Sequence, residues 1–147
     1  MIKAERVTKR FDDITAVDQV TAEIKEGNVF GLIGTNGAGK STFLRMASGV
    51  LKPDEGSITI DGQPVWENPQ VKARFFYISD DQYFFPNSTP QEMMQFYRQL
   101  YPAFDGKRFY HLLESFGLKK DRKIHTFSKG MKKQLSVICG ICAGTDY

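Results

Sequence analysis

No apolar run in the sequence approaches the roughly 20 residues that a membrane-spanning helix needs, so no transmembrane segment is expected. The opening Met1-Ile2-Lys3-Ala4-Glu5-Arg6 lacks the apolar stretch of a signal peptide. Together these absences point to the cytosol. Charge of one sign is scarce as well: the net charge of +3 over 147 residues permits contact with an anionic surface or nucleic acid and argues for neither. Cysteine is limited to Cys139 and Cys142, whose C-x-x-C spacing could suggest redox chemistry or half a zinc site. No second pair accompanies them, and they share one face of an apolar helical pattern with Val137, Ile138, Ile141 and Ala143, so buried core thiols are the better reading. The two histidines, His111 and His125, have no companion ligands and read as structural or surface positions. No internal repeat, low-complexity tract or linker is present, and the length suits one domain with a real core.

Against that background, Gly34-Thr35-Asn36-Gly37-Ala38-Gly39-Lys40-Ser41-Thr42 stands out as G-x-x-x-x-G-K-[ST], the phosphate-binding P-loop. An apolar, β-prone run precedes it, Val29-Phe30-Gly31-Leu32-Ile33, and is expected to be the strand that feeds the loop. After it, Phe43, Leu44, Met46, Ala47 and Val50 recur at helical spacing. Glycines at 34, 37 and 39 let the backbone take positive φ and approach a ligand closely. The loop amides then form a nest for phosphate oxygens, reinforced by the positive end of the helix that opens near Lys40. Lys40 is expected to reach the β- and γ-phosphates of a nucleotide, and the Ser41 hydroxyl to ligate Mg²⁺. A glycine-rich turn without a ligand is the plainer alternative.

Along the chain, residues 2–10 and 15–24 read as two strands joined by Phe11-Asp12-Asp13. In the second, Ala16, Val20, Ala22 and Ile24 alternate with polar residues, with Val17 out of step, which suggests an antiparallel sheet with one wet face. Ser57–Ile60 is a short strand ended by the Asp61-Gly62 turn signal. Residues 74–78 look like a buried strand, followed by a loop from Ser79 to Pro90. Helices are expected near 90–101 and 106–117, and a last one from Ser128, a plausible N-cap. Thirteen of the nineteen aromatics lie between Phe75 and Phe116. Because they fall at strand and helix spacing, without clustered bases, they read as a helical core or a partner-docking surface; single-stranded nucleic acid fits them less well.

Taken together, these landmarks resemble the N-terminal portion of an ABC-type ATP-binding cassette, the motor subunit of ATP-driven membrane transporters. The similarity rests on Phe11, the loop at 34–42, the run Gly49-x-Leu51-x-Pro53-x-x-Gly56-x-Ile58-x-x-Asp61-Gly62, Tyr77–Pro86, and Phe127-Ser128-Lys129-Gly130-Met131. The implied fold is α/β, of the P-loop NTPase type: an antiparallel β subdomain, a partial parallel P-loop core and a helical subdomain. The corresponding segments are 1–80 for the β and P-loop core, 81–127 for the helical subdomain and 128–147 for the signature helix.

The resemblance also implies roles. Phe11 matches the aromatic that stacks on adenine, with a core phenylalanine at a strand end as the plainer alternative. Asp80 stands where a glutamine usually senses Mg²⁺, with Gln82 two residues later, and an aspartate can still offer the metal an oxygen. Ser128 and Gly130 match the family signature, which caps the γ-phosphate held by a second cassette so that two chains sandwich two ATPs, although Lys129 and Met131 depart from the common pattern. The expected partners are therefore a transmembrane permease subunit and a second cassette, with no nucleic acid, at the inner face of the cell membrane. The segment 95–105 is most similar to single-cassette subunits of bacterial drug- or peptide-exporting systems. A soluble cassette acting on ribosomes or nucleic acid is the runner-up, and a non-catalytic nucleotide-binding module is the third reading.

In the family, the signature helix leads to an apolar strand ending in Asp-Glu, and later to a histidine. These residues order Mg²⁺ and polarise water, and the 147 residues hold no match for them. The expectation is an ATPase parent, with a 147-residue stretch that binds nucleotide weakly without turning it over. That strand would also lie beside Val29–Ile33, so an open edge and self-association are expected.

Overall fold

Strand β1 (Ile2–Phe11) and strand β2 (Ile14–Ile24) form a hairpin in which Ile2 faces Ile24 and Ala4 faces Ala22. On its other side β1 pairs antiparallel with β3 (Glu55–Ile60), where Ala4 faces Ile58. The two-residue strand β4 (Gln63–Pro64) completes a sheet of order β2-β1-β3-β4. The Asp61-Gly62 turn joins β3 to β4 with φ of 48° and 78°, the pair of positive values that a tight right-twisted hairpin requires. The computed structural model covers residues 1–147, and Met1–Phe75 together with Tyr147 form one unit and Phe76–Asp146 another.

The misplaced Val17 of the sequence pattern has a structural cause. Arg6 and Gln19 adopt φ of 46° and 45°, and the register of the hairpin shifts between Ala4 and Lys9. An extra residue in a strand flips the side-chain phase. Val17 is therefore buried before the irregularity and Ala22 and Ile24 are half-buried after it, while Val20 is exposed. The buried Thr8 hydroxyl accepts the Gln19 amide at 3.1 Å, and Thr21 accepts that of Arg6 at 3.1 Å, so the donors freed by the bulge are satisfied. Gly56 has φ of 76°, and a Cβ there would stand 2.3 Å from the carbonyl oxygens of Glu5 and Arg6. Only glycine lets β3 begin against the bulge.

Helix α1 (Lys40–Ala47) lays Phe43 and Met46, three residues apart on one face, into the core made by Ala4, Val7, Val17, Ile58 and Ile60. The short α2 (Pro69–Lys72) adds Val71, with Asn68 as its side-chain cap. The sheet is wholly antiparallel, and this corrects two expectations. Val29–Ile33 joins no strand pairing, and Val29 and Ile33 are almost wholly exposed. Residues 74–78 are likewise half-buried without being a strand. A parallel strand exists only where neighbours accept its hydrogen bonds, and all four strands of this sheet pair elsewhere. Local apolarity cannot supply that partner.

The second unit is helical. α3 (Pro90–Leu100) opens with a capping box: Thr89 accepts the Glu92 amide, and the Glu92 carboxylate accepts the Thr89 amide at 2.7 Å. It ends before Pro102. α4 (Gly106–Ser115) is capped by Asp105 and α5 (Lys129–Cys142) by Ser128, whose hydroxyl accepts the Met131 amide at 3.2 Å. Met93, Phe104, Phe109, Leu113, Leu135, Ile138 and Cys139 form the core. Aromatics line it in offset contacts, Phe76 at 5.3 Å from Tyr97 and Phe104 at 5.8 Å from Phe109. The two cysteines are buried and unpaired, and burial pushes the Cys139 thiol far up. Both histidines are exposed, and no helix is long and apolar enough to cross a membrane.

Phe109, fully buried between Phe104 and Tyr110, is the test of this core. Phe109→Ala is expected to cost about 3–5 kcal/mol in urea unfolding. The exposed Tyr83→Ala is expected to stay within about 0.5 kcal/mol.

Candidate functional site

The loop between Gly34 and Lys40 is built on a chain reversal that only glycines allow. Gly37 and Gly39 have φ of 84° and 79°. A Cβ on Gly39 would stand 2.0 Å from the carbonyl oxygen of Ala16, so the loop presses its backbone directly against β2. Gly39 then serves as the N-cap of α1, and its carbonyl accepts the Phe43 amide at 2.8 Å. No side chain caps this end. The first-turn amides of a helix have no partner within it, and here they adjoin the partial positive charge of the helix end.

Lys40 closes the loop. Its ammonium donates to the carbonyls of Gly34 and Thr35, both at 2.7 Å, while Ala38 N–H donates to the Thr35 carbonyl at 3.2 Å. An ammonium has three donors, so one remains after these two. Thr35, Asn36, Gly37, Ala38 and Ser41 are exposed, and Thr42 is half-buried. No cluster of three acidic, histidine or cysteine side chains is present to hold a metal.

Phe11 ends β1, opposite Ile14, which starts β2 two residues before Ala16. The hairpin end and the glycine loop therefore lie at the same end of the sheet. The ring is 44% exposed, so Phe11 is not a core residue. The Lys9 ammonium lies over it, 5.6 Å from the ring centroid. Asp54 holds that ammonium at 2.7 Å and with its other oxygen accepts the Arg10 amide at 2.7 Å. The Lys9 hydrogen bond, followed by that from Arg10, keeps the Asp54 carboxyl below its ordinary value of 3.8. Sequence reasoning singled out Phe11 without these neighbours. The available signal was that Lys9 lies two residues away, on the same face of a strand.

The remaining candidates lie in the other unit. Asp80 is exposed, whereas Gln82 lines a cavity of about 200 Å³ with Phe76, Tyr77 and Ile78. Ser128 and Gly130 are exposed at the first turn of α5, where Ser128 is engaged as the helix cap. A separate cavity of about 550 Å³ follows the bulge, lined by Glu5, Arg6, Gln19 and Gly56 among others, and includes no loop residue.

Comparison with known proteins gives a consistent picture. A family described as ABC transporter matches residues 17–146. The ABC transporter ATP-binding protein YtrB of Bacillus subtilis is 31% identical over 97% of the chain and 49% of its own length. A solved structure of the ATP-binding subunit of an ABC transporter superposes with a TM-score of 0.88 at 25% identity, over 98% of this chain and 62% of that one. The ATP-binding cassette MJ0796, solved as a dimer bound to ADP and Pi, superposes at 0.78 and 23% identity, over 99% of this chain and 71% of its own, and shows the fold alone. The chain spans about half the length of the curated relatives it matches.

Two measurements test this geometry. Gly39→Ala puts a side chain against the Ala16 carbonyl at a positive φ, and is expected to lower stability by about 1–3 kcal/mol in thermal or urea melts. For Asp54, a depressed folded value means that its contribution is present above pH 3.8, the ordinary value, and is lost as pH falls through the lowered one. The melting temperature is therefore expected to fall below about pH 4, and Asp54→Asn to remove part of that fall.

Proposed function

The chain belongs to the ABC transporter family, and we propose that residues 1–147 form the nucleotide-holding part of an ATP-binding subunit that powers a membrane permease. The observation that carries this reading is the loop itself. Glycine backbone packs where no Cβ fits, the end of α1 has no side-chain cap, and one ammonium bridges Gly34 and Thr35. Each of these features suits a polyphosphate, whose oxygens replace water around amides and cation alike.

In this reading the amides of Gly34, Thr35, Asn36, Gly37, Ala38, Gly39 and Lys40 surround the phosphates, with Thr42 in the following turn. The Lys40 side chain serves the β- and γ-phosphates and so acts as a catalytic group. Ser41 would hold Mg²⁺ together with phosphate oxygens and water; when bound, the metal neutralises charge on the phosphate oxygens. Phe11, exposed at the end of the hairpin, offers its ring to the base. Ser128 and Gly130 serve a nucleotide held by a second cassette, a reading supported by their exposure at the start of α5. ATP would join two cassettes and hydrolysis part them, biasing a two-state switch in the permease. The subunit would work as a peripheral protein on the inner face of the cell membrane. We assign to this stretch the binding of the nucleotide.

Calorimetric titration with Mg-ATP tests the reading. The chain is expected to bind, and Lys40→Ala to weaken binding roughly tenfold to hundredfold, the worth of a hydrogen-bonded charge. Equal affinities would overturn the assignment. Phosphate release by the 147-residue chain is expected to stay at background in the same preparations.

A further inference from the structure

We propose that Lys9 and Asp54 are positioning residues for Phe11, and that the three act as one base-recognition unit for a purine nucleotide. The proposal rests on the reading of Phe11 as the base platform and names what fixes and tunes that platform.

Four observations carry it. The Lys9 ammonium lies 5.6 Å from the centroid of the Phe11 ring, within the range of a cation–π contact. The Lys9 side chain is only 16% exposed, unusual for lysine, so its ammonium is not wandering in solvent. Asp54 fixes it at 2.7 Å and is itself fixed by the Arg10 amide at 2.7 Å, with the Asp54 amide donating to the Thr8 carbonyl at 2.9 Å. Arg10 is held by Glu55 at 2.7 Å, so Lys9 and Arg10 are both braced against the start of β3, and Phe11 is tied to it through Lys9.

The consequence is electronic as well as steric. With one face of the ring covered by a cation, a base has the other face available. The cation draws π density toward itself, which leaves the opposite face less negative and a better match for an electron-rich purine. Without Lys9 the ring would keep its area and lose both its fixed orientation and this polarisation.

The experiment compares affinities of the chain for Mg-ATP, Mg-CTP and inorganic tripolyphosphate, in the wild type, Lys9→Met, Lys9→Arg, Asp54→Asn and Phe11→Leu. Removing a positive charge weakens all three ligands alike, so the ratios cancel that effect. The expected result is that ATP binds more tightly than tripolyphosphate, and that Lys9→Met and Asp54→Asn each cut this advantage about two- to fivefold. Lys9→Arg restores it, because a guanidinium also stacks on rings and pairs with Asp54. The ATP-to-CTP ratio falls in parallel. Lys9→Met added to Phe11→Leu brings no further loss, the mark of residues that act through one another.

An unchanged ATP-to-tripolyphosphate ratio in Lys9→Met and in Asp54→Asn would overturn the proposal and leave the P-loop reading standing. So would a further loss in the double variant. ATP binding no tighter than tripolyphosphate in the wild type would remove Phe11 as a platform and the proposal with it. Failure to bind tripolyphosphate at all would remove the phosphate cradle and everything built on it.

Discussion

The close approach of Gly39 to the Ala16 carbonyl is the contact on which the site depends. It joins the glycine loop to β2 without an intervening side chain, and so joins it to a sheet whose register is fixed by an apolar core. The segment before the loop, Val29–Ile33, lies outside the sheet. The loop is therefore held from its far side, through Gly39 and through Phe43 and Met46 of α1. Lys40 adds a second tie across the near side, at Gly34 and Thr35. Backbone packing and one flexible cation thus define the same few ångströms.

What was legible in the sequence was what residues decide locally. The helix starts at Pro90, Gly106 and Lys129 follow Thr89, Asp105 and Ser128, residue types favoured as N-caps because their side chains can accept first-turn amides. The Asp61-Gly62 turn was legible for the same reason. The P-loop was legible as a motif because glycine at 37 and 39 is demanded by φ alone. The ABC-type resemblance and the mixed α/β fold agree with the family match and the superposed ATP-binding subunit.

Less legible was whatever needs a partner remote in sequence. The run at 29–33 has strand composition and no strand to pair with. Val17 lost its place in the alternation because of bulges at Arg6 and Gln19, which no local propensity encodes. The bracing of Phe11 by Asp54 joins positions more than 40 residues apart, and neither residue is exceptional by itself. Composition also masked a division of labour. Rings gather in the helical unit, as with Tyr97, whose phenol burial pushes up to about 12, while the phosphate loop sits in the unit with the sheet.

The burial of both cysteines has a practical corollary. Cys139 and Cys142 are the chain's only sulfhydryl groups, and both lie inside the helical core. An alkylating reagent meets them only when that core opens, since a concealed, protonated sulfur is a poor nucleophile. The rate of labelling is therefore a built-in clock for the opening of the α3–α5 bundle, blind to fluctuations of the sheet. In one chain, it separates the breathing of the helical unit from that of the unit that carries the glycine loop.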